Sequence, residues 1–291
     1  MASRYSYYLH SPLNYTGGKH KLLPALMTLF PREIGTFVDL FCGGANVGVN
    51  ARAEKYVFND ISSPLIDLYG EFKSKTAREV FDYIEGRIEE YGLSKTNNEG
   101  YLELRKSYNE NRNPLDLFVL TAYSFNNQIR FNSEGEFNMP FGENRSSFND
   151  SIQSNLASFL SRFQEIDVSF TNLPFRDFDF SKLTACDFVY CDPPYLITEA
   201  TYNSDYTETD EKALYSILDE LNSRGVRFGL SNVLTHSGKT NEILEGWISR
   251  NGYHVEKLKM NYTNCSYHKK DKETGSQEVY VFNYEPEFFL I

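Results

Sequence analysis

The sequence of 291 residues has few cysteines, and none of them is spaced for a metal site. Its four cysteines form no C-x-x-C pair, and its five histidines form no cluster with metal-ligand spacing. This pattern argues against a disulfide-rich scaffold and against a zinc site, whereas free thiols suit a reducing cytoplasm. We therefore expect no disulfide framework and no bound metal.

Long apolar runs and excess positive charge are also missing. The first fifteen residues lack the apolar core of a signal peptide, and no stretch approaches the length of a membrane span. The 29 Lys and Arg residues against 40 Asp and Glu residues give a net charge of −11, which argues against a protein that coats DNA through bulk charge. A local nucleic-acid site remains compatible with this net charge, because the electrostatic attraction of DNA depends on where the charges lie on the protein surface. We expect a cytoplasmic protein without membrane contact.

The order of predicted elements indicates an α/β fold. An apolar strand at 36–42 is followed by a glycine turn, a helix-compatible stretch at 45–54 and a second strand at 56–60, which is typical of a parallel sheet. Helical periodicity then dominates 61–165, apart from a β-hairpin at 128–142 around a glycine-containing turn. Strands return at 167–173, 187–191, 226–231, 253–260 and 279–285, with helices at 209–223 and 239–250. We predict three segments: a first part of a sheet domain at 1–60, a helical insertion at 61–165, and the rest of the sheet domain at 166–291.

A glycine turn after the first strand predicts a ligand loop. The sequence DLFCGGANVG starts at Asp39, and Asp60 ends the next strand, where a carboxylate can bind ribose hydroxyls. The glycine pattern is neither the G-x-G-x-x-G of dinucleotide folds nor a P-loop. From these residues alone, a turn that only connects strand and helix is an equally good interpretation.

The tetrad Asp192-Pro193-Pro194-Tyr195 follows the apolar strand that ends at Cys191. Two prolines fix an extended backbone and remove two N–H donors. A carboxylate, carbonyl acceptors and an aromatic ring are then held rigidly at the end of a strand. This combination suits a planar amine, although a proline-rich turn is the simpler alternative.

These motifs, together with Tyr15-Thr16-Gly17-Gly18-Lys19, resemble the Dam-type DNA adenine-N6 methyltransferases, and among them those of T-even bacteriophages. YTGGK, FVDLFCGG and DPPYLIT are similar to the family's two cofactor motifs and its catalytic motif. Further similarity lies at 95–117, 127–142 and 224–239, so the resemblance extends from Tyr15 to about Phe282. It implies a Rossmann-like S-adenosylmethionine-dependent methyltransferase sheet, with a helical target-recognition insertion that carries the hairpin.

The resemblance implies a role for each matching residue. Asp192 and the Pro193 carbonyl would accept the two N–H groups of adenine N6, while Pro194 stiffens the turn and Tyr195 stacks on a flipped-out base. S-adenosylmethionine would be bound by a larger set, in which Asp177 and Phe178 would meet the cofactor's adenine: Tyr15, Thr16, Gly17, Gly18, Lys19, Asp39, Phe41, Gly43, Gly44, Asp60, Asp177, Phe178 and Asp192.

Double-stranded DNA is the implied partner, with GATC as the expected target. Arg130 on the hairpin is the expected guanine reader, because its paired donors fit the two major-groove acceptors of guanine. An ion pair with Glu134 or Glu136 is the alternative for Arg130. Basic residues at 1–32 and 254–272 could meet phosphates, and the other expected DNA contacts are Lys19, Gln128, Asn132 and Pro140. We expect a monomer, with a dimer on DNA as the alternative.

Three other functions fit parts of the pattern. A restriction–modification methyltransferase would share the hairpin and act on another site. A DPPY-type turn could also bind an amine of RNA or protein. A non-catalytic DNA-binding protein could keep the fold, although an intact tetrad argues against it.

Overall fold

One mixed β-sheet forms the centre of the computed structural model, which describes residues 8–15, 17–198, 206–258 and 275–286. Across the sheet the strands run in the order β3-β2-β1-β4-β5-β8-β7, and the short β6 pairs with the end of β5. The eight strands found in these residues are β1 Thr36–Asp39, β2 Lys55–Asn59, β3 Val168–Thr171, β4 Phe188–Cys191, β5 Arg227–His236, β6 Lys239–Thr240, β7 His254–Leu258 and β8 Gln277–Phe282.

The first five strands of this order are parallel, and β8 is antiparallel to both of its neighbours, β5 and β7. The predicted α/β fold of the methyltransferase type is confirmed. Because β1 lies between β2 and β4, the chain leaves the adjacent carboxyl ends of β1 and β4 in opposite directions along the sheet, and a crevice opens there.

Alternating side chains give the sheet two apolar faces. Phe37 and Tyr190 belong to one buried cluster, whereas Val38 and Cys191 belong to the other. Two helices, α7 Glu208–Ser223 and α8 Glu242–Asn251, cover the second face, and the ring of Trp247 stacks on Tyr215 at 4.3 Å. The first face is covered by α1 Leu23–Leu29 and by the insertion.

The insertion between β2 and β3 is helical, as its periodicity predicts. The apolar side chains of the insertion belong to the same buried cluster as the first face of the sheet. Asp116 is buried within the insertion and pairs with Arg87 at 2.7 Å. Because one cluster spans both parts of the chain, the division at residues 60 and 165 stays a prediction. No described helix combines the length and apolarity needed to cross a membrane. The helices are α2 Ser63–Ser74, α3 Ala77–Glu90, α4 Asn98–Asn111, α5 Pro114–Tyr123 and α6 Asp150–Glu165.

The predicted helix at 45–54 is wrong. Only one 3-10 turn, Gly48–Asn50, forms there, and Ala45 has a φ of +56°. The side chains of Asn46 and Asn50 bond instead to the backbone of the amino-terminal segment, at Ser11 and Leu9. Asparagine side chains compete with helical backbone hydrogen bonds in this way. The backbone groups that they bond here lie 35 to 41 positions earlier in the chain.

Other boundaries differ from prediction where neighbouring strands intervene. The strand predicted at 226–231 continues to His236, because β8 pairs along its extension. Residues 239–240 form β6 before α8 begins. The hairpin at 128–142 is held by the bridges Ser124↔Phe141 and Phe131↔Phe137 rather than by regular strands. Part of the strand predicted at 253–260, and most of the basic stretch 254–272, lie outside the described residues.

Candidate functional site

A cleft of about 420 Å³ opens at the carboxyl edge of β1, β2 and β4. It lies at the crevice that the strand order creates, where ligands of open α/β sheets bind. The three sequence motifs meet here although they are distant in the chain. Among the residues predicted to bind cofactor or substrate, the cleft is lined by Tyr15, Gly17, Gly18, Lys19, Asp39, Phe41, Gly43, Gly44, Asp60, Asp192, Pro193, Pro194 and Tyr195. Thr16 lies outside the described residues.

The tetrad predicted to be catalytic follows β4 directly, and Asp192 is its charged residue. Lys19 Nζ lies 2.8 Å from Asp192 Oδ2, and the Tyr195 hydroxyl donates to Asp192 Oδ1 at 3.0 Å. Burial raises the pKa of Asp192, while Lys19 and the Tyr195 hydroxyl act against that shift. Asp192 is thus a desolvated carboxylate whose two oxygens each already accept one hydrogen bond.

Lys19 and Tyr195 pack together above this carboxylate. The Lys19 side chain is only 4% exposed, donates to the Gly17 carbonyl at 2.9 Å, and lies 4.9 Å from the centre of the Tyr195 ring. Burial and the charge of Asp192 raise the pKa of Tyr195 well above its usual value, so its phenol stays protonated. The ring nevertheless lines the cleft, where it can meet a flat ligand.

The glycine turn after β1 is packed against Tyr15. Gly43 has a φ of +44°, and a Cβ there would lie 3.0 Å from the Tyr15 ring. A Cβ at Gly44 would lie 2.9 Å from the Cβ of Tyr15. Any larger residue at these positions would displace Tyr15 from the cleft wall, so the glycines serve close approach as well as turn geometry.

Asp39 is the last residue of β1, and Asp60 directly follows β2. Both side chains line the cleft. Asp60 accepts backbone N–H groups of Gly43 at 2.8 Å and Ser62 at 2.9 Å, and Asp39 accepts that of Gly48 at 3.1 Å. Burial raises the pKa of both carboxyl groups, and the charge of Asp192 adds to the shift at Asp39. A carboxylate has about four acceptor positions, so Asp60 keeps acceptor capacity for a ligand hydroxyl group.

The structure does not bring Asp177 and Phe178 into the cleft, and their contact with the cofactor's adenine stays a prediction. Asp177 is exposed, and Phe178 packs on Phe180 at 4.9 Å between ring centres, away from the cleft. Phe175 and Arg176 line the cleft in their place. Successive side chains of the 3-10 turn Phe175–Asp177 point in different directions around its axis, and those of Phe175 and Arg176 face the cleft.

An apolar wall that sequence reasoning missed faces Asp60. Ile61 is 75% exposed and Leu173 is 36% exposed, yet both line the cleft, and Phe175 packs on Phe41 at 5.4 Å. Exposed apolar side chains grouped at a cleft indicate a ligand surface. The position of Ile61 directly after Asp60 was the available signal. Asn46, Tyr206 and Asp210 were also missed. Asn46 lies within the motif that starts at Asp39, whereas no motif marks Tyr206 or Asp210.

Arg130 extends from the hairpin as its alternation predicts. Ile129 and Phe131 pack against the insertion's core, and Arg130 is exposed. Its Nε donates to Asn138 Oδ1 at 2.7 Å and its Nη2 to the Asn138 carbonyl at 3.0 Å. Asn138 is therefore its partner, in place of the glutamates considered as alternatives.

The other predicted DNA contacts divide into two groups. The Asn132 side chain is engaged in the turn, because its Oδ1 accepts the N–H groups of Glu134 and Glu136. Gln128 is half-buried, and Pro140 is exposed. The hairpin base also presents Phe125, which is 40% exposed and lies 5.9 Å from the Arg145 guanidinium.

The base of the hairpin is hydrogen-bonded to the segment that precedes Tyr15. The Asn14 side chain donates to the carbonyl of Asn126 at 2.8 Å, and Asn126 and Asn127 both have positive φ. This hydrogen bond connects the hairpin to the segment that leads into the cleft at Tyr15. Among the described residues, no three His, Cys, Asp or Glu side chains are grouped to hold a metal ion.

Comparison with known proteins places this site in a family. Residues 15–262 match the family described as D12 class N6 adenine-specific DNA methyltransferase. The chain is 48% identical to "Modification methylase StsI" from Streptococcus sanguinis over 97% of its own length and 44% of the relative's. It is 47% identical to "Type II methyltransferase M.FokI" from Planomicrobium okeanokoites over 95% and 43%, respectively.

Similarity to a Dam enzyme is lower. The "DNA adenine methylase" of Escherichia coli (strain K12) is 27% identical over 85% of this chain and 87% of the relative. These relatives support the adenine-methyltransferase family, but they do not support the narrower resemblance to T-even phage enzymes. The chain spans less than half the length of the two modification enzymes that it matches. It belongs to the D12 class of N6 adenine-specific DNA methyltransferases.

Proposed function

We propose that the chain transfers a methyl group from S-adenosylmethionine to adenine N6 in double-stranded DNA, as the modification enzyme of a restriction–modification system. The observation that supports this most directly is the position of Asp192, which is half-buried directly after the carboxyl end of β4 and faces the same cleft as the glycine turn. An acceptor for an amine and a loop for a cofactor are thereby brought within one cavity.

The residues of the cleft fit S-adenosylmethionine. Asp60 has spare acceptor capacity for a ribose hydroxyl, Ile61, Leu173 and Phe175 form an apolar wall for a purine, and the glycine turn admits close approach. When bound there, the cofactor supplies an electrophilic methyl group on a positively charged sulfur. No metal is required for this chemistry.

The chain's own residues act on the adenine. The amino nitrogen of adenine is a poor nucleophile because its lone pair is delocalised into the ring. Asp192 and the Pro193 carbonyl accept its two N–H bonds, which favours the geometry in which the lone pair is localised. Asp192 also stabilises the positive charge that develops on the nitrogen and receives its proton. Because the amino group lies inside a base pair, the base must first leave the helix.

Phe175→Ala tests the cofactor wall against the matched variant Phe178→Ala. The first removes an aromatic face that lines the cleft, and the second removes one that packs beside it. We expect Phe175→Ala to weaken S-adenosylmethionine binding about tenfold, the order of one base–aromatic stack. Isothermal titration calorimetry measures this. Equal losses for both variants would show that Phe175 acts only through packing.

Tyr195→Ala tests stacking on the flipped base, with Tyr195→Phe as the matched control. With 2-aminopurine at the target position, fluorescence should rise on binding because the base leaves its stack. Tyr195→Ala should weaken the complex by about 1 kcal/mol, whereas Tyr195→Phe keeps the ring and loses only the bond to Asp192. If the two variants bind equally weakly, the hydroxyl rather than the ring carries the effect.

For the target site, we favour a sequence other than GATC. The two modification enzymes are 47–48% identical to this chain, against 27% for the Escherichia coli DNA adenine methylase, and GATC is retained as the second candidate. Sequencing of N6-methyladenine in plasmid DNA from a methylation-deficient host expressing the protein decides between them. Parallel assays of labelled methyl incorporation into DNA, RNA and protein test the substrate class, and incorporation into RNA or protein alone would refute the proposal.

A further inference from the structure

Glu278 is a half-buried carboxylate that the proposed mechanism leaves without a role. It lies at the start of β8, in register with Val233 of β5 and Leu258 of β7. Its Oε2 is closed to solvent and has no hydrogen-bond partner among the described residues. A buried, unpaired polar atom is costly and therefore points to a function or a missing partner.

The sheet places Glu278 on the same face as Asp192. Side chains alternate along each strand, and Tyr190 and Tyr280 share one apolar cluster while Val189 and Val279 share the other. Asp192 and Glu278 are each two positions from a tyrosine of the first cluster. One strand, β5, separates β4 from β8, and Cys191 is in line with Val281 through Leu230. Asp192 and Glu278 are therefore about 10 Å apart across the sheet and offset by two residues along it.

The charge of Lys19 acts on both of these carboxyl groups. Lys19 pairs with Asp192 at 2.8 Å, and its charge also lowers the pKa of Glu278, which burial raises and the charge of Asp192 raises further. An ammonium group has three donors. Those of Lys19 engage Asp192 and the Gly17 carbonyl, and one donor is left for another acceptor.

The ion pair of Lys19 and Asp192 conflicts with the reaction in one respect. While Lys19 bonds to Asp192, it neutralises the carboxylate that must stabilise positive charge on N6. A second carboxylate within reach of Lys19 would resolve this conflict, because the ammonium could shift without losing its partner.

We propose that Glu278 is a positioning residue that takes over the ammonium of Lys19 when the amino group of the substrate occupies Asp192. Glu278 does not line the cleft and does not touch the substrate. Its effect is to return negative charge to Asp192 at the moment when N6 becomes positive. This role rests on the proposed adenine methylation, and it adds a residue that no motif of the sequence marks.

E278Q tests the role, because it keeps the shape of the side chain and removes its charge. We expect single-turnover methyl transfer to slow about tenfold, the order of coupling between contacting charged residues. Dissociation constants for S-adenosylmethionine and for the target duplex should stay within twofold of wild type. E278D, which keeps the charge, should retain more of the rate. E256Q, on the exposed side of the neighbouring β7, is the matched control and should leave the rate unchanged.

A double-mutant cycle with K19M separates positioning from a structural role. If Glu278 acts through Lys19, E278Q in the K19M background should cause no further loss. An equal loss in both backgrounds, a wild-type rate for E278Q, or equal losses for E278Q and E278D would each overturn the proposal. Such results in an enzyme that methylates adenine refute only the role of Glu278, whereas a wild-type chain that leaves DNA unmethylated refutes the proposed function and this role with it.

Discussion

Asp192→Ala is expected to lower the rate of methyl transfer by about 100- to 1,000-fold, the usual effect of removing one oriented electrostatic partner of a transition state. Asp192 is the only member of the tetrad with a charge, and Lys19 and Tyr195 hold both of its oxygens in fixed directions. Its loss removes an acceptor for N6, the stabilisation of the developing charge and the proton acceptor together. Single-turnover incorporation of labelled methyl groups measures this effect.

Asp192→Asn provides the matched variant. Its amide oxygen can still accept one N–H bond, but it carries no charge, so we expect a trace of activity that the alanine variant lacks. Cofactor affinity and thermal unfolding should remain near wild type in both variants, because the cofactor wall lies toward β2 and Glu278 remains near Lys19. Near-normal turnover by Asp192→Ala would remove this residue from the mechanism.

Arg130→Ala is expected to relax the choice of one guanine in the target, by about 5- to 150-fold in the ratio of cognate to changed sites. The guanidinium is exposed and held at its Nε and Nη2 by Asn138, so its remaining donors are oriented outward before DNA binds. A preoriented arginine loses less conformational freedom on binding a base edge. The bidentate contact with guanine O6 and N7 is the geometry that this arrangement suits.

The measurement is kcat/KM on the cognate duplex and on duplexes with each single-base change, for wild type and variant. Arg78→Ala is the control, because that arginine lies exposed on α3 and pairs with Asp82. Removal of a residue that only contacts phosphate would weaken binding to all sequences alike. It would also lower the slope of log affinity against log salt concentration by about one. A uniform loss for Arg130→Ala would therefore identify a phosphate contact and reject the role of guanine reader.

The sequence by itself determined the fold class and most of the cleft. Short apolar strands followed by Gly43-Gly44, Asp60 and the tetrad at Asp192 are local patterns, and local patterns fix which residues end a strand at the carboxyl edge of a sheet. Their order along the chain was sufficient to bring the same residues into one cavity. The hairpin alternation likewise predicted that Arg130 is exposed, since period two depends only on neighbours.

Only the tertiary structure decided which distant groups meet. The segment 45–54 has helix-compatible residues, but its asparagines bond to a chain segment up to 41 positions away. Phe175 rather than Phe178 faces the cleft because a single 3-10 turn sets the direction of each side chain. The pairing of Lys19 with Asp192 joins two residues that are far apart in sequence, and Glu278 lies on the same side of the sheet because β8 is only two strands from β4. Such contacts depend on burial and charge in three dimensions, which no local pattern encodes.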